Sequence, residues 1–331
     1  MRSIKNFRSA AFAIAIVLAG SQSGLAQTTL NVASTASLFP QYYPLAVGEE
    51  HGFFKDEKLT ISELATGGGG ATIQPVISGD TPIGLASMSG AILAKAKNAP
   101  IKVISGVSPN FMSTIVFAVA ADSDIKKVAD LKGKPSIKIG FTSGGSITDI
   151  ASGVAVKNEN LKDGSEVQRV ALGSMQAQAA ALLTHHIAVA TVNTNTIAHY
   201  VVEGKVRIIG DMGDYMKTSE ANAIVANVGY IQKNKDSVER FLRAYGKAVD
   251  YANSHKDEVL KLYAKKADVS PQVAAIVFGK LTWTTALNYD GFVNELDELK
   301  AAGKVPQSMD PKKLYGDLVD LSMLPSGSAK P

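Results

Sequence analysis

An α/β fold of two lobes, each a mostly parallel sheet with flanking helices and a cleft between the lobes, is what this sequence predicts, and three observations carry it. Short apolar-alternating strands and helix-period segments take turns along most of the chain. The same order of strand, turn and helix returns about 106 to 107 positions later, so that 32–37 matches 139–144, the loop at Thr66-Gly67 matches Gly173-Ser174, and 85–89 matches 191–195. The chain of 331 residues exceeds a comfortable single core, yet no long polar linker divides it.

The first segment is not part of that fold. Arg2, Lys5 and Arg8 precede an apolar run over 10–20, and Gly24 and Ala26 are small residues just before Gln27. This is the pattern of a cleavable export signal over 1–26. The run is far short of the ~20 residues that span a bilayer, and no later run reaches that length, which predicts a soluble mature protein. Cysteine is absent, excluding disulfides, thiolate metal sites, a cysteine nucleophile and the lipid-bearing cysteine of a tethered lipoprotein. A freely diffusing periplasmic protein follows. Removing the signal takes the formal charge from +4 to about +1, which gives nucleic acid no footprint.

In the mature chain, 29–33 alternates as a strand, and Pro40 fits the first turn of a helix that ends at His51-Gly52. Strands at 59–64, 83–86 and 101–106 alternate with helices over 71–77 and up to Lys97, with a glycine loop over 67–70. The second round has strands at 137–141, 166–172, 187–192 and 206–210, with helices from Ile147, over 174–184 and over 196–202. An apolar strand over 223–230 precedes Val238, Phe241, Leu242, Tyr245, Ala248 and Val249 at helical spacing. Helices over 259–267, 270–281, 291–302 and 312–321 contain no further sheet and should wrap back onto the first lobe. The lobes are then 27–117 with 223–331, and 118–222, joined by short crossings near 116–120 and 221–226.

The stretch Thr142-Ser143-Gly144-Gly145-Ser146 sits between a strand and a helix start, where unpaired N–H groups and the positive dipole end suit a small anion or carbonyl. Ordinary capping accounts for the same residues equally well. As a ligand site it makes Ser143 and Ser146 the expected polar anchor, with Ser87 to Ser89 the next choice.

The early Phe39-Pro40 helix ending His51-Gly52-Phe53-Phe54, the Ser78-Gly79-Asp80 entry to Ile83-Gly84-Leu85-Ala86-Ser87, and Asp130-Leu131-Lys132-Gly133-Lys134 before Thr142 together resemble the nitrate/sulfonate/taurine family of periplasmic substrate-binding proteins. That family is related to the thiamine-pyrimidine-precursor binding proteins. The match covers essentially the whole mature chain. It rests on the order of its motifs, and departs at Pro82 and at Ala188 or Val189, where the family often has an acid. The resemblance implies the type II periplasmic-binding fold and a cleft ligand passed to an ABC transporter permease in the inner membrane. Position by position it implies one wall from Ser37, Leu38, Phe39, Gly67, Gly68, Gly69, Ser87, Met88 and Ser89. The other wall comes from Thr142, Ser143, Gly144, Gly145, Ser146, Gln176, Asn193 and Asn195. Phe39 and Met88 fit core packing as well, Asn193 and Asn195 fit helix capping, and Tyr42 is either an aromatic face or a cover for the first helix.

No arginine or lysine falls in those loops, which argues against a guanidinium clamp and leaves a small sulfonate, a carboxylate or a neutral heterocycle such as a pyrimidine precursor. Other classes lack their residues. The glycine run is not a dinucleotide fingerprint, His185-His186 point apart on a helix, no nucleophile elbow is present, and Asp211 with Asp214 reads as a loop. The expectation is a monomeric binding protein without cofactor, metal or catalysis. A ligand sensor for a membrane receptor is the alternative, and an exported enzyme the more distant one.

Overall fold

The strand-and-helix alternation builds two sheets of five strands in a computed structural model that describes residues 27–67, 71–144, 146–216 and 218–326. The export signal, Gly68, Gly69, Gly145 and the tail beyond Ser326 lie outside the described residues. In chain order the strands are β1 (Thr28–Ser34), β2 (Leu59–Ala65), β3 (Ile83–Ser87), β4 (Ile101–Gly106), β5 (Ile115–Ala120), β6 (Ile137–Phe141), β7 (Val167–Ala171), β8 (Val189–Asn193), β9 (Val206–Asp211) and β10 (Asn222–Asn227). The helices begin with α1 (Pro44–Glu50), α2 (Phe53–Asp56), α3 (Ile73–Ser78), α4 (Met88–Ala96), α5 (Ile147–Asn158), α6 (Met175–Leu183) and α7 (Thr194–Val202). They end with α8 (Val228–Lys233), α9 (Lys235–Ser254), α10 (Lys256–Ala267), α11 (Pro271–Phe278), α12 (Tyr289–Ala301) and α13 (Pro311–Leu318).

The sheets run β2-β1-β3-β10-β4 and β7-β6-β8-β5-β9, the same topology twice. In each, three parallel strands are followed by one antiparallel strand, β10 or β5, which pairs with the fifth. The repeat extends to single bonds. Beyond the β1–β2 ladder the Thr66 and Gly67 N–H groups donate to Ser34 O and Thr35 O, and beyond β6–β7 those of Leu172 and Gly173 donate to Phe141 O and Thr142 O.

The chain leaves the first sheet after Gly106, enters the second at Ile115, and returns between Asp211 and Asn222. The crossings therefore precede the segments where the sequence reading put them. Residues 116–120 belong to β5, whose six residues are all buried, and 222–227 form β10. A short apolar run looks alike as connector or as buried strand, and its burial on both faces makes these central strands. Gly106 marks the first exit: a Cβ there would lie 1.8 Å from Ala286 O, so only glycine passes.

The expected first helix is two pieces, a 3₁₀ turn over Pro40–Tyr42 and then α1, which restarts at Pro44. Helix α9 buries Val238, Phe241, Leu242, Tyr245, Ala248 and Val249, a stripe that joins β1, β3 and α1 in one apolar cluster. Helices α10 and α11 complete that cluster, while α12 and α13 cover the other face beside β4 and β10.

Candidate functional site

The strand-to-helix loops of β1, β3, β6 and β8 carry most of the expected site residues, at the carboxyl ends where open α/β sheets bind ligands. After β6 the hydroxyls bond one another. Thr142 Oγ1 donates to Ser146 Oγ at 2.8 Å and lies 2.9 Å from Thr148 Oγ1, while Ser146 Oγ accepts the Asp149 N–H at 3.2 Å. That is a cap on α5. Ser143 and Gly144 are exposed.

After β3, Ser87 Oγ accepts the Gly90 N–H at 3.1 Å and caps α4. Met88 is fully buried in the cluster over β3 and β10, and Ser89 is half-buried. Gln176 is exposed in the first turn of α6. Two positions on, Gln178 is buried and its Oε1 accepts the Thr191 N–H at 3.0 Å. Gly67 has φ +82°, a conformation glycine holds without strain, and Ser37 is exposed.

After β1, Leu38 and Phe39 rest against the main apolar cluster, and the Phe39 ring lies 5.8 Å from that of Tyr42. Tyr42 is buried and its hydroxyl donates to Asn222 Oδ1 at 2.8 Å; burial holds that phenol well above its ordinary pKa. Tyr42 thus ties the first loop to β10.

Three of the expected residues come together at one gap. Phe39 lines it from the first lobe, beside Pro40 and Gln41. Asn193 and Asn195 line it from the end of β8 and the start of α7, beside Thr194. Thr114, at the end of the first crossing, and Val277 of α11 complete the lining. The gap holds about 10 Å³, roughly one water site, so any larger guest requires the lobes to part.

The lobes meet firmly around it. Thr194 Oγ1 donates to Val277 O at 2.8 Å, and Ala198, fully buried, belongs to the apolar cluster of the first sheet. At the rim, Lys280 Nζ reaches Asp211 Oδ2 at 2.8 Å and Asp214 Oδ1 at 4.0 Å. Lys280 thus makes an ion pair with those two acids across the lobes, and its exposure limits the strength of that pair.

No residue lining the gap is charged, and several polar atoms around it are left unsatisfied. Gln41 Oε1 and Asn193 Oδ1, both in the lining, are buried without a partner; outside the lining, Asn222 Nδ2 beside Tyr42 is buried without one too. Asn193 stands at the N-cap of α7 yet makes no side-chain cap. Of the polar residues lining the gap, the sequence reading missed Gln41, Thr114 and Thr194. Gln41 had one signal, a polar residue inside the apolar turn Phe39-Pro40-Gln41-Tyr42-Tyr43; the others had none, because their neighbours come from distant segments. Among the described residues no helix is long and apolar enough to cross a membrane.

Comparison with known proteins gives the arrangement its relatives. The family model described as NMT1/THI5 like matches residues 39–259. The Bacillus subtilis (strain 168) protein YtlA is 23% identical over 265 residues, covering 79% of this chain and 77% of that protein. The periplasmic aliphatic sulphonate binding protein SsuA of Escherichia coli superposes with a TM-score of 0.66 at 19% identity, over 92% of this chain and 93% of that one. The periplasmic nitrate-binding protein NrtA of Synechocystis PCC 6803 gives 0.64 at 13% identity, over 89% and 87%. At such identities the likeness is one of fold, and the fold is that of the periplasmic binding proteins.

Proposed function

The chain belongs to the NMT1/THI5-like family, and from that membership we propose that it is an exported solute-binding protein, one that takes a small organic molecule between two lobes and delivers it to an ABC importer. The observation that carries the reading is the gap itself. Residues that follow β1 of one sheet and residues at the end of β8 of the other converge on one uncharged space with unpaired side-chain atoms.

We take the lobes to divide where the chain passes between the sheets, at 107–114 and 212–221. Two short crossings permit one lobe to rotate on the other about a hinge. The likeness in fold to proteins named for sulphonate and nitrate binding supports a transport role, and the export signal over 1–26 supports delivery outside the cytoplasm.

Native mass spectrometry of protein isolated from the periplasm without refolding tests this. The expected result is a chain beginning at Gln27 and carrying one small organic molecule, which is lost on unfolding and rebinds in calorimetry. A chain that carries nothing and binds nothing from a periplasmic small-molecule extract overturns the reading.

A further inference from the structure

Within that solute-binding reading, on which the inference rests, we propose that the polar anchor of the cleft is the first turn of α7 together with Gln41 and Asn193, and that it holds an uncharged group with a carbonyl beside an N–H, as in a carboxamide, ureide or lactam. The hydroxyl run after β6 is engaged in capping α5, whereas two independent features point to α7.

The first is the helix start. Asn is among the best N-cap residues, yet the Asn193 side chain makes no cap, so it does not satisfy the N–H groups of this nine-residue helix. Those groups, at the positive end of the helix dipole, ask for an acceptor oxygen. The second is Gln41, which comes from the opposite lobe. It is only 2% exposed, it lines the same gap, and its Oε1 has no partner. With Asn193 Oδ1, also buried and unpartnered, it asks for N–H or O–H donors. A guest must therefore bring an acceptor and donors together.

Charge decides between the classes that remain. An oxyanion would enter a space whose lining has no lysine, arginine or histidine. It would lose its hydration there against a helix dipole alone, and it would face two amide oxygens. An amide-type group meets the same atoms with every partner matched and no charge to desolvate. The hydroxyl of Thr114 already donates to Phe111 O, so it adds no competing donor.

Calorimetry on the full chain with benzamide, benzoate and benzenesulfonate, three probes on one ring, tests the inference alongside native mass spectrometry of what co-purifies. Expected is a co-purifying molecule that carries an amide-type group, benzamide binding at least tenfold tighter than either anion, and a tenfold or greater loss of that binding in Gln41→Leu. Because Gln41 sits in a buried turn that the Leu variant also alters, Asn193→Asp is the second variant. It keeps an acceptor and is expected to spare benzamide while weakening the anions further. Anions that bind more tightly than benzamide, or a co-purifying anion without such a group, overturn this inference and leave solute binding standing. A chain that carries and binds nothing overturns the solute-binding reading as well.

Discussion

Ser87 and Asn193 occupy the same place in the two halves of the molecule, each the last residue of a five-residue strand and the N-cap of a nine-residue helix. Each also pairs with the incoming antiparallel strand, Ser87 with Asn222 and Asn193 with Ile115. Their use differs. Ser87 spends its hydroxyl on the Gly90 N–H and closes α4 within its own lobe. Asn193 withholds its side chain, and α7 turns to the other lobe, bonding Val277 through Thr194 and burying Ala198 in foreign apolar surface. One duplicated unit can thus serve as finished structure in one copy and as an unfinished, ligand-facing edge in the other.

The strongest way to break this comparison is at the seam that makes α7 different. Ala198→Asp puts a carboxylate into a fully buried site and should cost about 3 kcal/mol or more of the contact between lobes. Small-angle scattering is expected to show a larger radius of gyration, the lobes parting while each keeps its sheet. An unchanged radius and unchanged stability would mean that the α7–α11 seam does not hold the lobes together.

The crossings that feed the two strand ends sharpen it next. The first, 107–114, has no ionisable residue. The second ends in Ser219-Glu220-Ala221, where Glu220 Oε1 accepts the Asn288 N–H, its Oε2 has no partner, and Ser219 Oγ donates to Glu295. Burial, with Glu295 nearby, pushes the Glu220 carboxyl up to about 8, and burial with the charge of Glu298 pushes Glu295 up to about 7. Such groups bind protons in the folded state that the unfolded chain has released. Their stabilising effect is complete below the unfolded value of 4.5 and is lost as pH rises through 7 to 8. Melting temperature should therefore fall between pH 5 and pH 8.5 as stability drops by an amount on the order of a few kcal/mol, and Glu220→Gln should flatten the fall. A wild-type melting temperature that is flat across that range would contradict it.

The smallest effect is the most direct contrast. Ser87→Ala should destabilise the protein by ~1 kcal/mol through the lost cap and leave affinity for the co-purifying molecule unchanged. Asn193→Ala should shift stability by less than about 0.5 kcal/mol and weaken affinity roughly tenfold or more. Thermal unfolding and calorimetry on the same two variants separate these outcomes, and a cap-sized stability loss in both would make the two positions equivalent after all.

Much of the fold was legible because its signals are local. Alternation marks a strand and 3.6-residue spacing marks α9, whatever lies across from them, and the repeat of about 106 positions reappears in the pairing, Val32 with Ile83 and Ile139 with Val189. Of the candidate site, the placement of Phe39, Asn193 and Asn195 at strand ends followed from the same order. Sequence by itself thus determined the two-sheet plan and which loops share an edge. Tertiary structure alone decided that 115–120 is a central strand, that the strand read over 223–230 lies between β3 and β4 and gives way to α8 at Val228, that Ser146 and Ser87 are capping, and that Gln41 and Asn193 are not. The physical reason is that a residue's type states which hydrogen bonds it can make, but whether a partner is present depends on segments far away in the chain. A buried oxygen left without a donor is a property of packing, and no local pattern records it.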